Sequence, residues 1–128
     1  MRLLLDTHIF LWLLKTPERL GRHVESMEDP ANELLVSAVV AWEIAIKHAL
    51  GRMPLPAPPA SYVPDRMGAI GARPLPVTLD HALGVASLPP LHRDPFDRLL
   101  LAQALQLDAT LVTADAVLAG YPAETLLV

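Results

Sequence analysis

The sequence contains no cysteine among its 128 residues. Disulfide bonds, iron–sulfur clusters, zinc sites built on thiolates and cysteine nucleophiles are therefore excluded. Basic residues are also few: ten Lys and Arg against fourteen Asp and Glu give a formal charge of −4. This balance excludes a protein that coats nucleic acid through its overall charge. Three familiar catalytic patterns are missing too, namely an HExxH pair of histidines, a glycine-rich nucleotide loop and a GxSxG serine elbow.

No apolar stretch has the length of a membrane helix, although 52% of the residues are hydrophobic. The uncharged run Leu34–Trp42 near the middle is far shorter than the roughly 20 residues that a span needs. Asp6 and His8 interrupt the apolar N-terminal stretch, and no small-residue cleavage site follows it. We therefore expect a cytoplasmic protein that has no signal peptide and does not associate with membranes. The chain length predicts that residues 1–128 form a single domain.

Short apolar runs alternate with amphipathic segments along the chain. Strands are predicted at 3–5, 34–36, 75–77, 110–113 and 126–128, and helices from the residue after Asp6 to about Lys15 and at 18–27, 38–50, 62–70, 79–88 and 95–107. This alternation is typical of parallel β–α–β units. The predicted fold is therefore α/β, a three-layer sandwich with a central, mainly parallel sheet. The proline-rich segment 53–60 is expected to be an irregular surface connection, because proline lacks the N–H that helices and ladders require.

Two acidic residues follow predicted strands. Asp6 comes directly after Leu3–Leu5, and Asp115 comes two residues after Leu111–Thr113. In sheets of this type, ligands bind beyond the carboxyl ends of the strands. Each aspartate could instead cap the helix that follows it, a role that aspartate fills well. The recurrence of an acid at two strand ends favours a shared site.

Further acids lie on predicted helices. Glu43 lies at the border of the predicted apolar face of helix 38–50, which consists of Ala38, Trp42, Ala45, Ile46 and Ala49. An ion pair with Lys47, four residues on, is the structural alternative for Glu43. Asp97 heads an apolar stripe on helix 95–107 and is expected to point inward, where a lone carboxylate is costly. Asp94 is suited to capping that helix.

If these acids converge, they need a counter-charge. Two carboxylates about 4 Å apart repel by about 4 kcal/mol at an effective dielectric constant of 20. A cluster of three or four is stable only when it is protonated or holds a cation. Oxygen ligands without cysteine or a histidine cluster select Mg²⁺ or Mn²⁺ over zinc. Such an ion lowers the pKa of a bound water and neutralises charge on a phosphoryl group, so the expected reaction is metal-assisted hydrolysis of a phosphodiester.

Four segments of the sequence together match a known family pattern. They are, in chain order, Leu3–His8, Val36–Ile44, Asp94–Ala104 and Leu111–Asp115. Together they resemble the PIN-domain family, and within it the VapC-type toxins of bacterial toxin–antitoxin pairs. The resemblance covers essentially the whole chain. It implies a compact α/β sandwich, a Mg²⁺- or Mn²⁺-dependent ribonuclease activity on transfer or ribosomal RNA, a cognate antitoxin that blocks this activity, and a homodimer.

The resemblance also implies roles for individual residues. The family's catalytic acids correspond to Asp6, Glu43, Asp97 and Asp115. Of these, Asp6, Asp97 and Asp115 would hold the metal, and Glu43 would help to bind or orient the attacking water. Auxiliary groups that orient water or carboxylates would be Thr113, Thr7 or Ser37, and Asp94, whose role as ligand or cap stays open.

Basic and aromatic residues near these motifs are candidates for contacts with partners. Arg93 and Arg98 are expected to contact an RNA phosphate, with a solvated helix face as the alternative. His8 and His92 adjoin the acids, and packing or solvent exposure is the expected role of both, with contact to the substrate as the alternative. The helix formed by Ile9–Leu14 is apolar all round, so one side needs a cover. The second helix, a second copy or the antitoxin would provide it.

Two rival functions remain. One is a non-catalytic RNA- or protein-binding module on the same fold, in which the acids serve only as caps. The other is a receiver-like phosphoacceptor domain, which shares the length, the α/β alternation and an acidic Mg²⁺ site. A receiver needs an acidic pair after the first strand, where this chain has Asp6 alone.

Overall fold

Five parallel strands form the centre of a computed structural model that describes residues 1–128. The strands are β1 (Arg2–Leu5), β2 (Glu33–Ser37), β3 (Arg73–Leu75), β4 (Thr110–Thr113) and β5 (Thr125–Leu127). Their order in the sheet is β3-β2-β1-β4-β5, and every neighbouring pair is parallel. The predicted α/β sandwich is confirmed, and the sheet is parallel throughout.

Six helices flank the sheet. They are α1 (Thr7–Lys15), α2 (Val24–Glu28), α3 (Ala38–Ala49), α4 (Pro59–Ala69), α5 (Leu79–Gly84) and α6 (Pro95–Leu107), and 3₁₀ turns cover Pro17–His23, Val85–Ser87 and Ala116–Gly120. No helix has the length and apolarity that crossing a membrane would require.

The central strand β1 shows why the sheet is buried on both faces. Leu3, Leu4 and Leu5 are completely inaccessible, as are Leu111 and Val112 on β4. Parallel strands covered by helices on both sides read as continuous apolar runs rather than alternating ones. The chain leaves β1 for β2 on one side of the sheet and later returns to β4 on the other. Ligand sites in such sheets lie at this reversal, so the ends of β1 and β4 mark the expected position.

Several predicted boundaries shift in the structure. The helix expected at 18–27 is a 3₁₀ turn followed by α2, because Gly21 breaks the helix with a positive φ of 54°. The helix expected at 79–88 ends as α5 at Gly84 and continues as a 3₁₀ turn. Helix α4 begins at Pro59 instead of residue 62, since a proline in the first turn sacrifices no helical hydrogen bond. Strand β3 lies at 73–75 instead of 75–77.

The apolar face predicted for α3 is wrong. The helix buries Val39, Val40, Glu43 and Ile44, whereas Trp42 is 57% exposed and packs edge-on against a phenylalanine ring of α6. The β-branched side chains fill the core, whereas Ala38 and Ala45 of the predicted face line an apolar cavity of about 640 Å³ between α3 and α4. Glu43 therefore lies on the buried side of its helix rather than at the border.

Candidate metal centre

A polar pocket of about 430 Å³ lies at the carboxyl ends of β1 and β4. Five acids line it, Asp6, Glu43, Asp94, Asp97 and Asp115, together with the side chains of Thr7, His8, Trp12, Lys47 and His92. The structure thus brings the four predicted catalytic acids into one pocket, although they come from four distant parts of the chain. Their mutual charge interactions appear in the pKa values of two of them.

Asp6 both caps a helix and faces the pocket. Its Oδ1 accepts a hydrogen bond from the Ile9 amide at 3.0 Å at the start of α1, and the Thr113 side chain also bonds to its carboxylate. Burial raises the pKa of Asp6, the two hydrogen bonds and His8 lower it in part, and the charge of Glu43 raises it further. The two alternatives for Asp6 are therefore compatible, because capping uses one oxygen and leaves the carboxylate in the pocket.

Asp97 lies in the first turn of α6 and points inward as predicted. Burial is the main cause that raises its pKa to about 6, with contributions from the negative charges of Asp94 and Asp6. A hydrogen bond of 2.9 Å from His92 Nε2 to Asp97 Oδ2 works in the opposite direction. The same nitrogen is 3.7 Å from Asp115 Oδ2. The ring of His92, for which packing or solvent exposure was expected, hydrogen-bonds Asp97 and lies beside Asp115.

Glu43 is fixed by two neighbours. Thr7 Oγ1 donates to Glu43 Oε1 at 2.6 Å, and Lys47 Nζ bonds to the other carboxylate oxygen. The ion pair with Lys47 expected as the structural alternative is present. Glu43 is nevertheless only 4% exposed and lines the pocket, so the ion pair holds this carboxylate in place within the pocket.

Asp115 and Asp94 each use one oxygen to cap a helical turn. Asp115 Oδ1 accepts from the Val117 amide at 3.0 Å, and the Asp115 amide donates to Thr113 Oγ1 at 3.1 Å. Thr113 therefore interacts with the Asp6 side chain and accepts from the main-chain amide of Asp115, so it does not contact the Asp115 carboxylate, and its role as an orienting group stays a prediction. Asp94 Oδ1 accepts from the amides of Phe96 and Asp97 at 2.8 and 3.1 Å, which is the predicted cap of α6.

The capping role of Asp94 predicts its mutational behaviour. Asp94→Ala is expected to reduce the free energy of unfolding by about 1 kcal/mol, because two helix amides lose their acceptor. Asp94→Ser is expected to keep the wild-type value, since serine is an equally good cap. Chemical denaturation of the metal-free protein measures both. Equal losses in the two variants would show that the charge of Asp94, rather than its cap, stabilises the fold.

The donor set fits a hard divalent cation. Asp6, Asp97 and Asp115 offer carboxylate oxygens from three segments, which is the ligand chemistry of Mg²⁺ and Mn²⁺. Burial is the main cause that raises the pKa values of Asp6 and Asp97, and the charges of neighbouring acids raise them further. His92, Asp94 and Asp97 place ligand atoms within 4.8 Å of one another, close enough to contact a single ion.

Two residues that were predicted to serve the site, Arg98 and Ser37, make other contacts in the structure. The Arg98 guanidinium donates to main-chain carbonyls of the segment 85–92 and to the Tyr121 hydroxyl, so it is occupied inside the protein and not free for a phosphate. Ser37 bonds to Gln103 Oε1 at 2.6 Å and lines the apolar cavity, away from the acids. Arg93 is exposed, and its phosphate contact stays a prediction.

Sequence comparisons place the chain among proteins of known family. A family model for the PIN domain matches residues 3–123. Ribonuclease VapC22 of Mycobacterium tuberculosis is 32% identical over 113 residues, which cover 88% of this chain and 85% of that protein. Ribonuclease VapC16 of the same organism is 55% identical over 56 residues, and this match covers 44% of the chain but only 38% of the length of VapC16.

Solved structures share the fold. The VapBC2 complex of Rickettsia felis, bound to a DNA fragment from its promoter, contains a chain that matches with a TM-score of 0.74 and 16% identity, covering 100% of this chain and 99% of that one. A chain of VapBC-1 from nontypeable Haemophilus influenzae matches with a TM-score of 0.68 and 19% identity, covering 99% and 98%. The match of the family model over nearly the whole sequence confirms the resemblance seen in the four motifs, and the chain belongs to the PIN domain family.

Proposed function

We propose that this protein is a Mg²⁺- or Mn²⁺-dependent endoribonuclease and the toxin of a toxin–antitoxin pair. The observation that carries the proposal is the convergence of Asp6, Glu43, Asp97 and Asp115 in one pocket at the reversal point of the sheet. Relatives named as VapC ribonucleases and structural neighbours from VapBC complexes support the same function.

Three of the four acids share one task in this proposal, and Glu43 has another. Asp6, Asp97 and Asp115 would hold the ion, which supplies a water of lowered pKa and offsets charge on the phosphate. Glu43 orients the attacking water, and Thr7 and Lys47 hold its carboxylate in place for this purpose. Because water attacks instead of the ribose 2′-hydroxyl, the cleaved RNA carries a 5′ phosphate.

The partners follow from the same relatives. We propose a cognate antitoxin and a second copy of the chain as binding partners, and the cytoplasm as the place of action. Helix α1 offers an apolar surface of the right kind, because Leu11–Leu14 are only partly buried. Trp12 is the candidate anchor, with the Arg19 guanidinium 5.0 Å from its ring centre.

The decisive test is cleavage of RNA by the purified chain. We expect cleavage with Mg²⁺ or Mn²⁺, none with EDTA, inhibition by the product of the neighbouring open reading frame, and 5′-phosphorylated ends when the products are mapped by ligation. RNA that binds without being cut at any metal concentration, together with no stabilisation by Mn²⁺, would favour the non-catalytic binding module.

The contact between Thr7 and Glu43 gives a second test. Thr7→Val is expected to slow cleavage by about 10- to 100-fold, because Glu43 loses its hydroxyl donor while the valine keeps the volume. Initial rates on a synthetic RNA measure the effect. The matched control is Thr16→Val, since Thr16 makes no side-chain cap bond and lies outside the pocket. A rate within twofold of wild type for Thr7→Val would remove Thr7 from the machinery.

A further inference from the structure

An irregular segment before α6 carries His92 into the pocket. The ring contacts Asp97 at 2.9 Å and approaches Asp115 at 3.7 Å, so one imidazole faces two carboxylates from different elements. Nε2 donates in the contact with Asp97 when the carboxyl group of Asp97 is ionised, because a carboxylate oxygen accepts. The segment itself has no helix or strand hydrogen bonds between residues 88 and 94 that would fix the position of this ring.

Arg98 supplies what the segment lacks. Its guanidinium donates from Nη1 and Nη2 to the carbonyls of Pro89 (3.0 Å), His92 (3.4 Å), Val85 (3.2 Å) and Leu88 (3.5 Å). Nη1 also donates to the hydroxyl of Tyr121 at 3.2 Å, a residue that is 4% exposed. A planar fork with several fixed donors can hold such a set of acceptors, whereas the single ammonium group of lysine cannot.

The two residues are linked through one short stretch of chain. Arg98 is the neighbour of Asp97 on α6 and fixes the backbone of His92, while the His92 ring returns to bond the Asp97 carboxylate. The segment before α6 is thus tied to this helix by two contacts, one from Arg98 to the His92 carbonyl and one from the His92 ring to the Asp97 carboxylate. Hydrogen bonds of this type set the orientation of metal-binding carboxylates, and their loss typically costs about 10- to 100-fold in metal affinity.

We propose that Arg98 and His92 are a positioning pair: Arg98 holds the segment 85–92 against α6, and His92 thereby sets the orientation of the Asp97 carboxylate for a divalent ion. Neither residue needs to touch RNA for this role. The inference rests on the proposed metal site, but the coupling between Arg98 and His92 exists in the metal-free protein and can be measured there.

The first experiment uses the metal-free, ¹⁵N-labelled protein. Long-range ¹H–¹⁵N spectra of the imidazoles are expected to show a protonated, hydrogen-bonded Nε2 for His92, assigned by the disappearance of the signal in His92→Gln. Arg98→Lys is expected to move this signal to that of a free imidazole. The control Arg73→Lys, at an exposed ion pair on the edge strand, is expected to leave it unchanged. An unchanged His92 signal in a folded Arg98→Lys variant would overturn the coupling.

The second experiment measures Mn²⁺ affinity by calorimetry. Arg98→Lys and His92→Ala are each expected to weaken binding by about 10- to 100-fold, and His92→Gln is expected to recover part of the loss because it keeps an N–H donor. His23→Gln, outside the pocket, is the matched histidine control. If Arg98→Lys does not fold, Tyr121→Phe takes its place, since it removes only one of the five partners, and a smaller loss is expected.

The outcomes distinguish failure of the positioning role from failure of the proposed metal site. Mn²⁺ affinity within twofold of wild type in His92→Ala and in the folded Arg98 or Tyr121 variant would overturn the positioning role while leaving the metal site intact. A wild-type protein that binds no Mn²⁺ would overturn the proposed metal-dependent function and the metal part of this inference. The imidazole spectrum would still decide whether Arg98 positions His92.

Discussion

Asp6→Asn is expected to abolish RNA cleavage, with a loss of about a thousandfold or more, while the protein keeps its fold. A loss of this size corresponds to about 4 kcal/mol of transition-state stabilisation, which is within the range that a catalytic metal supplies. Asparagine keeps the oxygen that accepts from the Ile9 amide, so the cap of α1 survives. What is lost is the negative charge at the centre of the pocket.

The stability of this variant makes the prediction specific. Burial raises the pKa of Asp6, so the ionised carboxylate destabilises the metal-free folded state near neutral pH. Asp6→Asn is therefore expected to melt at the wild-type temperature or above it, and to gain nothing from Mn²⁺. Asp65→Asn, an exposed acid paired with Arg66, is the control for the loss of one charge. Full cleavage by Asp6→Asn with Mg²⁺ would rule out the proposed mechanism.

The positions of the acids were predictable because they depend on the topology of the sheet. Asp6 and Asp115 follow apolar runs, and the carboxyl ends of parallel strands meet at one edge. Asp97 was predictable because its helix has a regular apolar stripe. Glu43 lies in the pocket as expected, but the helix face predicted to be buried was wrong. The prediction placed Trp42 and the alanines of α3 in the core, whereas β-branched residues of this helix occupy it.

The errors concern contacts that leave no pattern in the sequence. Arg98 bonds to main-chain carbonyls, which every residue has, so nothing distinguishes it from an arginine that faces solvent. His92 lies on an irregular segment whose path depends on that same arginine. Ser37 and Thr7 both lie at the junction of a central strand and a helix, yet only Thr7 hydrogen-bonds to an acid, because Ser37 donates to Gln103 of α6 instead. Only the folded arrangement separates these cases.

The excess negative charge of the chain equals the number of proposed catalytic acids. Four of the fourteen acidic residues line the pocket as proposed catalytic groups, and the other ten are matched by ten Lys and Arg. The formal charge of −4 is therefore equal to the charge of the proposed site, and it does not describe the rest of the molecule. Binding of a divalent ion would offset part of it, which reconciles an acidic protein with an RNA substrate.

The stabilising effect of Mn²⁺ is expected to depend on pH and to disappear as pH falls through about 6. At a concentration of 100 times its Kd, a ligand that binds only the folded state adds about 2.7 kcal/mol, or roughly 10 °C in a domain of this size. The ion needs ionised carboxylates, and burial raises the pKa of Asp97 to about 6. Melting temperatures with and without Mn²⁺ from pH 5 to pH 7.5 measure the effect.

The metal-free protein is expected to show the opposite trend. Between pH 3.8 and about 6, the folded state keeps a proton on Asp97 that the unfolded state has lost. The stability contributed by this proton is therefore complete below the unfolded pKa and is lost as pH rises through the folded pKa. Asp97→Asn removes this term, so the difference in unfolding free energy between wild type and variant cancels the contributions of titrating groups that do not interact with Asp97 and leaves Asp97 and its coupled neighbours Asp6, Asp94 and His92. The variant should also lose the gain from Mn²⁺. If the wild-type stability relative to Asp97→Asn rises with pH across this interval, then Asp97 is not the buried, proton-binding carboxylate that a metal would replace.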